Sequence, residues 1–363
     1  MESDFARSLR RHSFRTLRAP SVGVTALLGL CLAGAACGSE AGDSAEESGD
    51  SDAGAISTAA SNDGGASSAD SSTAALANAD NHAAKSATDC VWDSADAIPI
   101  TLRGTSASAA SAAVTIDGST VRIGAKGTYL VSGSLSDGQI VVDSPDTGVV
   151  KLVLQNARLA SGSSAAVLVS DADRVAIIAE GTNTLADGTT RAAVSADDEE
   201  PSAALFSMAD LTLCGTGVLA VQGNYRDGVA SKDGLVMASG QISVTSADDA
   251  LRGKDYVVVT GGTLSATASG DGIVSDNATD ASKGYVSIEG GTLTVKSGGD
   301  AIAAATDVLV SAGDLLLTAG GGVANAASVA QSGVSAKGIK GLVRVVIDGG
   351  SYNIDAADDA IHT

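Results

Sequence analysis

A short phrase, Asp followed by Gly or Ala and then an aliphatic residue, recurs on a fixed beat through the C-terminal half of the chain. It occurs at Asp227-Gly228-Val229, Asp249-Ala250-Leu251, Asp271-Gly272-Ile273, Asp300-Ala301-Ile302 and Asp359-Ala360-Ile361. The steps between the aspartates are 22, 22, 29 and 59 residues. Counting one beat beyond Asp300 reaches Gly322 and Val323, which reads as a copy that keeps the backbone pattern and loses the carboxylate. A period near 22 is too short for a helical-pair repeat or a propeller blade and suits one coil of a β-solenoid.

The rest of each coil agrees. A glycine about nine residues before each beat opens an alternating run, as in Gly240-Gln-Ile-Ser-Val-Thr, Gly262-Thr-Leu-Ser-Ala-Thr and Gly291-Thr-Leu-Thr-Val-Lys. Period-two alternation rich in Thr, Val, Leu and Ile is the mark of a half-buried strand. A second apolar run precedes the glycine, as in Tyr256-Val-Val-Val-Thr260 and Tyr285-Val-Ser-Ile-Glu289, with Gly261-Gly262 and Gly290-Gly291 at the bends. Strand, Gly-Gly corner, strand, Asp-Gly corner and short third strand make one turn of a parallel β-helix. The fold expected is therefore all-β, with about 22 residues per coil. The longer steps are insertions at corners, Asn277 to Lys283 and roughly Ala324 to Lys337.

Three regions are expected. Residues 1–37 have the form of an export signal: Arg7, Arg10, Arg11, Arg15 and Arg18 precede an apolar run from Val22 to Ala36 that ends at Cys37. That run is too short to span a bilayer comfortably. Small residues before the cysteine resemble a lipoprotein signal, so Cys37 is the candidate lipidation site and the protein is expected at the cell surface, with plain secretion as the alternative. Residues 38–88 are mostly Ala, Ser, Asp, Gly and Asn, too poor in large apolar groups to offset ordering entropy, and read as a tether. Residues 89–363 are the β-helix, with early coils and an irregular cap before about residue 215. Its only cysteines, Cys90 and Cys214, form either a disulfide or a pair of buried thiols. The array is expected to be cut short at Thr363, leaving the last coil frayed. A net charge of −21 argues against nucleic acid, which needs a basic stripe.

Several phrases in order, among them Ser231-Lys-Asp-Gly-Leu235, Ser246-Ala-Asp-Asp-Ala-Leu-Arg-Gly-Lys-Asp-Tyr256, Gly270-Asp-Gly-Ile273, Lys283-Gly-Tyr-Val-Ser-Ile-Glu-Gly-Gly-Thr292 and Ala357-Asp-Asp-Ala-Ile-His362, resemble the bacterial carbohydrate-binding-domain-containing proteins. The resemblance runs from about residue 90 to 363. It implies an exported, pectate-lyase-like right-handed parallel β-helix, calcium between coils, and a polysaccharide partner such as acidic pectin or cellulose.

A metal is also suggested by electrostatics. Stacked coils lie about 4.8 Å apart, so registered aspartates form a column of like charges. Neighbours repel by roughly 0.8 kcal/mol in bulk water and by about 3 kcal/mol at an effective dielectric of 20. Hard carboxylate oxygens suit calcium, and the candidate ligands are Asp227, Asp248, Asp249, Asp271, Asp300, Asp358 and Asp359. Solvated turn aspartates are the plainer explanation. Candidate glycan contacts are Lys232, Arg252, Lys254 and Tyr256, although Tyr256 and Tyr285 begin equivalent strands and equally suit packing. Two other functions stay open. One is a calcium-dependent polysaccharide lyase with Lys232, Arg252, Lys254 or Lys337 as base; the other is an adhesin or structural surface protein.

Overall fold

The computed structural model describes residues 86–192 and 201–363. The expected signal, Cys37 and nearly all of the tether lie outside the described residues.

The described chain is a parallel β-helix. One coil of the regular part runs Leu251–Gly253, Tyr256–Val259 and Thr263–Ala268, and the next runs Ile273–Ser275, Tyr285–Ile288 and Thr292–Ser297. Each strand pairs in parallel with its counterpart one coil on: Leu251 with Ile273, Tyr256 with Tyr285, Leu264 with Leu293. The short strands that follow the Asp corner form an 11-stranded sheet of their own. The other two positions share an 18-stranded sheet. They are joined because early strands such as Val149–Ser161 run through the corner without a break, pairing first with Arg174–Glu180 and then with Thr182–Asp187.

Alternation decides which side chains enter the core. In Thr263–Ala268, Leu264, Ala266 and Ala268 are buried while Thr263, Ser265 and Thr267 face solvent. Stacking in register then builds aliphatic columns, such as Val229, Leu251, Ile273, Ile302 and Ile339. Burial of such a continuous apolar column is the main source of solenoid stability. At the bends between second and third strands, Gly262 and Gly291 have φ of 87° and 95°, a region that a Cβ disfavours.

Two features depart from the regular coil. Two antiparallel returns, Ala107–Ala109 on Ala97–Gly104 and Val114–Asp117 on Thr120–Ile123, accompany the N-terminal coils. Cys90 and Cys214 are joined in a disulfide, their Cα atoms 6.2 Å apart. It holds the segment carrying Trp92 against Val153, Ala176 and Ile178, on the face of the sheet turned away from the main core.

The beat after Asp300 needs a correction. Gly322 and Val323 are not on it: Val323–Asn325 is a 3-10 turn that runs into a short helix, Ala326–Ser332. The strand stacked on Ile302–Ala304 is Ile339–Gly341, so the residue in the aspartate's place is Lys337. The helix is an inserted excursion, and its only buried residue is Val329.

Candidate functional site

The repeated aspartates form a hydrogen-bonded column. Asp227 Oδ1 accepts the backbone N–H of Asp249 at 3.3 Å, Asp249 Oδ1 that of Asp271 at 2.8 Å, and Asp271 Oδ1 that of Asp300 at 2.7 Å. Asp300 Oδ1 accepts the N–H of Lys337, also at 2.7 Å. Each carboxylate therefore serves the corner of the next coil, a local role that a turn aspartate fills well. Gly270 makes room for this: a Cβ there would come within 2.6 Å of Asp248 Oδ1 and 2.7 Å of Asp249 Oδ1.

The candidate ligands separate into groups. Asp227, Asp248 and Asp249 come together, each offering an oxygen within 4.8 Å of the others. Asp271 and Asp300 continue the column, and Asp300, 1% exposed, is paired with Lys340 Nζ at 2.9 Å. Asp358 and Asp359 are exposed; Asp358 is bound by Lys337, and Asp359 Oδ2 lies 2.9 Å from His362 Nδ1. Lys337 thus places a cation in a column of anions.

Protein cations compensate this charge in part. Arg226 lies 3.3 Å from Asp248, and Arg252 lies 3.2 Å from Asp249 while also binding Asp276. Burial still pushes the Asp249 carboxyl up to about 7, with Asp271, Asp227 and Asp248 adding to the shift and the Asp271 N–H opposing it. Burial raises Asp227 and Asp271 as well. The Arg252 guanidinium is drawn down by burial, but Asp276, Asp249 and Asp227 outweigh this and hold it above its ordinary value.

Beside the three-carboxylate cluster is a cleft of about 270 Å³, lined by Ser202, Arg226, Asp227, Lys232, Arg252, Lys254 and Asp276 among others. It opens on the outer face of the 11-stranded sheet. Residues of one parity there stand in a registered row along the stack: Leu168, Phe206 and Ala230, then Arg252, Val274, Ala303 and Lys340. Lys232 Nζ lies 5.9 Å from the centre of the Phe206 ring. Along the row, buried apolar residues such as Phe206, Ala230, Val274 and Ala303 alternate with the half-buried cations Arg252 and Lys340.

A family model for carbohydrate-binding domain-containing proteins matches residues 117–363. The chain belongs to this family. A relative of that name from Acetivibrio thermocellus is 32% identical over 126 residues, which are 34% of this chain and 44% of the relative. The chain thus spans less than half the length of that curated relative. A solved structure described as a polysaccharide lyase-like protein from C. thermocellum, a gadolinium derivative, superposes with a TM-score of 0.58 at 26% identity, covering 73% of this chain and 96% of that one. The pectate-lyase-like parallel β-helix is shared by this carbohydrate-binding domain-containing chain and that neighbour.

Of the four candidate glycan contacts, Lys232, Arg252 and Lys254 line the cleft. Tyr256 does not. It is 6% exposed, stacks on Tyr285 with ring centroids 5.8 Å apart, and donates its hydroxyl to Asp210 Oδ1 at 2.9 Å. Its ring lies in a slot left open by Gly234, where a Cβ would stand 1.8 Å from a ring carbon. Sequence reasoning missed Arg226 and Asp276 in the cleft. Arg226 was findable, since it stands 22 residues before Asp248 and so falls in register with it.

Proposed function

We propose that this chain binds an acidic polysaccharide, of the polygalacturonate type, along the outer face of the 11-stranded sheet, with calcium at the Asp227, Asp248 and Asp249 cluster. The observation that carries this reading is the meeting of four cationic side chains, Arg226, Lys232, Arg252 and Lys254, with a three-carboxylate cluster at one cleft. Uronate carboxylates and hydroxyls are the groups such cations recognise. Family membership supports a carbohydrate partner, and the polysaccharide lyase-like neighbour supports a polymer.

Donor chemistry supports calcium. All the oxygens are carboxylate, the hard ligand type calcium takes, and a cation there would offset the burial and the neighbouring aspartates that push the Asp249 carboxyl up to about 7. When bound, calcium would neutralise Asp227, Asp248 and Asp249 and attract the glycan's own carboxylates. Arg252, charged and anchored by Asp249 and Asp276, orients the ligand rather than removing a proton from it.

Co-sedimentation of the full chain with insoluble polygalacturonate, in calcium and in chelator, tests this. Calcium-dependent pelleting that falls about tenfold or more in Arg252→Ala is expected, the size of a lost charge-assisted contact. Equal pelleting of wild type and variant would refute the site. Absorbance of unsaturated products in the same samples would reassign the cleft to a lyase.

The export reading rests on the N-terminal sequence. We propose a surface lipoprotein anchored through Cys37, with a polysaccharide outside the cell as its partner. Fatty-acid labelling in the host, lost in Cys37→Ala, is the expected result; labelling that persists in the variant excludes that anchor.

A further inference from the structure

Residues 86–92 lie across the outside of the sheet and belong to no coil. The Cys90 N–H returns to the Ser86 carbonyl at 3.0 Å, closing a helical turn. Three successive strands of the stack hold this segment. Lys151, in Val149–Ser161, donates to the Val91 carbonyl. Arg174, in Arg174–Glu180, grips Asp89 through Nε at 2.6 Å and Nη2 at 3.3 Å, and Asp89 is 5% exposed. Cys214, in Asp210–Gly215, carries the disulfide to Cys90. Register places the covered residues side by side, since Val153 pairs with Ile178 and Ile178 with Cys214. Trp92 packs over them.

This attachment bypasses the start of the array. After residue 92 the chain returns to Ala97–Gly104, which stacks on Gly127–Leu135 and through it on Val149–Ser161, Arg174–Glu180 and Asp210–Gly215. Cys90 is therefore joined not to the first of these strands but to the last. Cys214 also stands shortly before Arg226 and Asp227, in the coil that leads into the Arg252 cleft.

A terminal coil is the weak point of a solenoid, because it has a neighbouring coil on one side only. Apart from its own antiparallel return, Ala107–Ala109, the strand Ala97–Gly104 pairs only with Gly127–Leu135. A pull on it along the stack would break those hydrogen bonds and pass to the next coil in turn. A pull arriving through residue 86 meets the anchored segment first, and a covalent bond hands it to Cys214. Residues 91–213 then form a closed loop outside the path of the load.

We propose that residues 86–92 are a load-bearing strap, which transmits tension from the N-terminal side of the chain to Asp210–Gly215, beside the candidate glycan site, and protects the coils before it from peeling. The use of such a strap rests on the proposed anchor at Cys37. Its mechanics do not, so loss of the anchor reading in fatty-acid labelling would leave the strap to be judged separately.

Optical-trap pulling of the full chain, held by its two termini, tests this. In the oxidised wild type, the first rupture is expected from the coils beyond Cys214. Adding reductant should lower the first-rupture force and introduce early coil-sized steps. It should also lengthen the fully extended chain by roughly 400 Å, the reach of the loop closed across a separation of 124 residues. Cys90→Ser with Cys214→Ser should match the reduced protein. Arg174→Ala, which keeps the disulfide, should leave the oxidised trace unchanged and lower the force that lifts the strap after reduction. An equal first-rupture force before and after reduction, with only the final length changed, would overturn the proposal, since the disulfide would then be a cross-link that protects nothing under load.

Discussion

Asp249 Oδ1 accepts the backbone N–H of Asp271 at 2.8 Å, one coil further along the stack. The same carboxylate is 7% exposed and is held near neutral pH by its surroundings. One side chain therefore closes a turn and, because its burial disfavours the charged form, holds a proton toward neutral pH at the edge of the candidate site.

The pH dependence follows from that shift. Asp249 has its folded pKa raised, from 3.8 to about 7, so the folded state holds its proton more tightly than the unfolded state. Its contribution favours folding below pH about 4 and is lost as pH rises toward 7. In chelator, the melting temperature is expected to fall across that window, with a cost on the order of a few kcal/mol once the group is ionised. Calcium should cancel the fall, since it stabilises the ionised carboxylate. Asp249→Asn, which keeps an oxygen for the Asp271 N–H, should flatten the pH profile in chelator and reduce the calcium effect. Calorimetry at several pH values, with and without calcium, measures both; a profile unchanged in the variant would contradict the assignment.

Asp300 depends on a protein cation. It is 1% exposed and lies 2.9 Å from Lys340 Nζ, with the Ser335 hydroxyl at 2.7 Å. Lys340→Met removes the ammonium and leaves a buried carboxylate with reduced compensation. A loss of about 3 kcal/mol is expected in urea unfolding, as for a broken buried pair. The double variant with Asp300→Asn should recover most of it.

The disulfide should act on the N-terminal segment more than on the array. Cys90 and Cys214 close a loop with a sequence separation of 124, which the chain-entropy account values at roughly 4–5 kcal/mol. Reduction, or Cys90→Ser with Cys214→Ser, is expected to lower the melting temperature and to expose the Trp92 segment to protease. The later coils, with their own continuous core, should keep their protection in hydrogen exchange.

The Tyr256 slot is a test of packing. Gly234→Ala sets a Cβ against the Tyr256 ring, and overpacking of this kind costs about 1–3 kcal/mol. Tyr256→Ala in the same chain should relieve the clash, so a double-mutant cycle in denaturant should show strong coupling; additive effects would argue against the contact.

The coil itself was legible in the sequence because a solenoid is nearly one-dimensional. Each residue contacts its counterpart one period away, so a spacing of 22 specifies both the strand and its neighbour. That is why Asp227, Asp249 and Asp271 could be read as a stack from their spacing, and why the aliphatic residue two places after each falls in one core column, Val229, Leu251 and Ile273. Insertions broke the rule. The helical excursion after Asp300 put Lys337 where counting had put Gly322, because an arbitrary length can leave the stack at a corner and return in register. The disulfide across 124 residues also carried no periodic signal. The period set Arg226 in register with Asp248, but tertiary structure alone decided that Arg252 and Lys340 reach the acidic column, with long side chains whose direction the period does not set. It likewise sent Tyr256 inward to Asp210 and away from the glycan cleft. Backbone register follows from a repeat, whereas the pairing of charged and aromatic tips depends on the space that neighbouring coils leave for them.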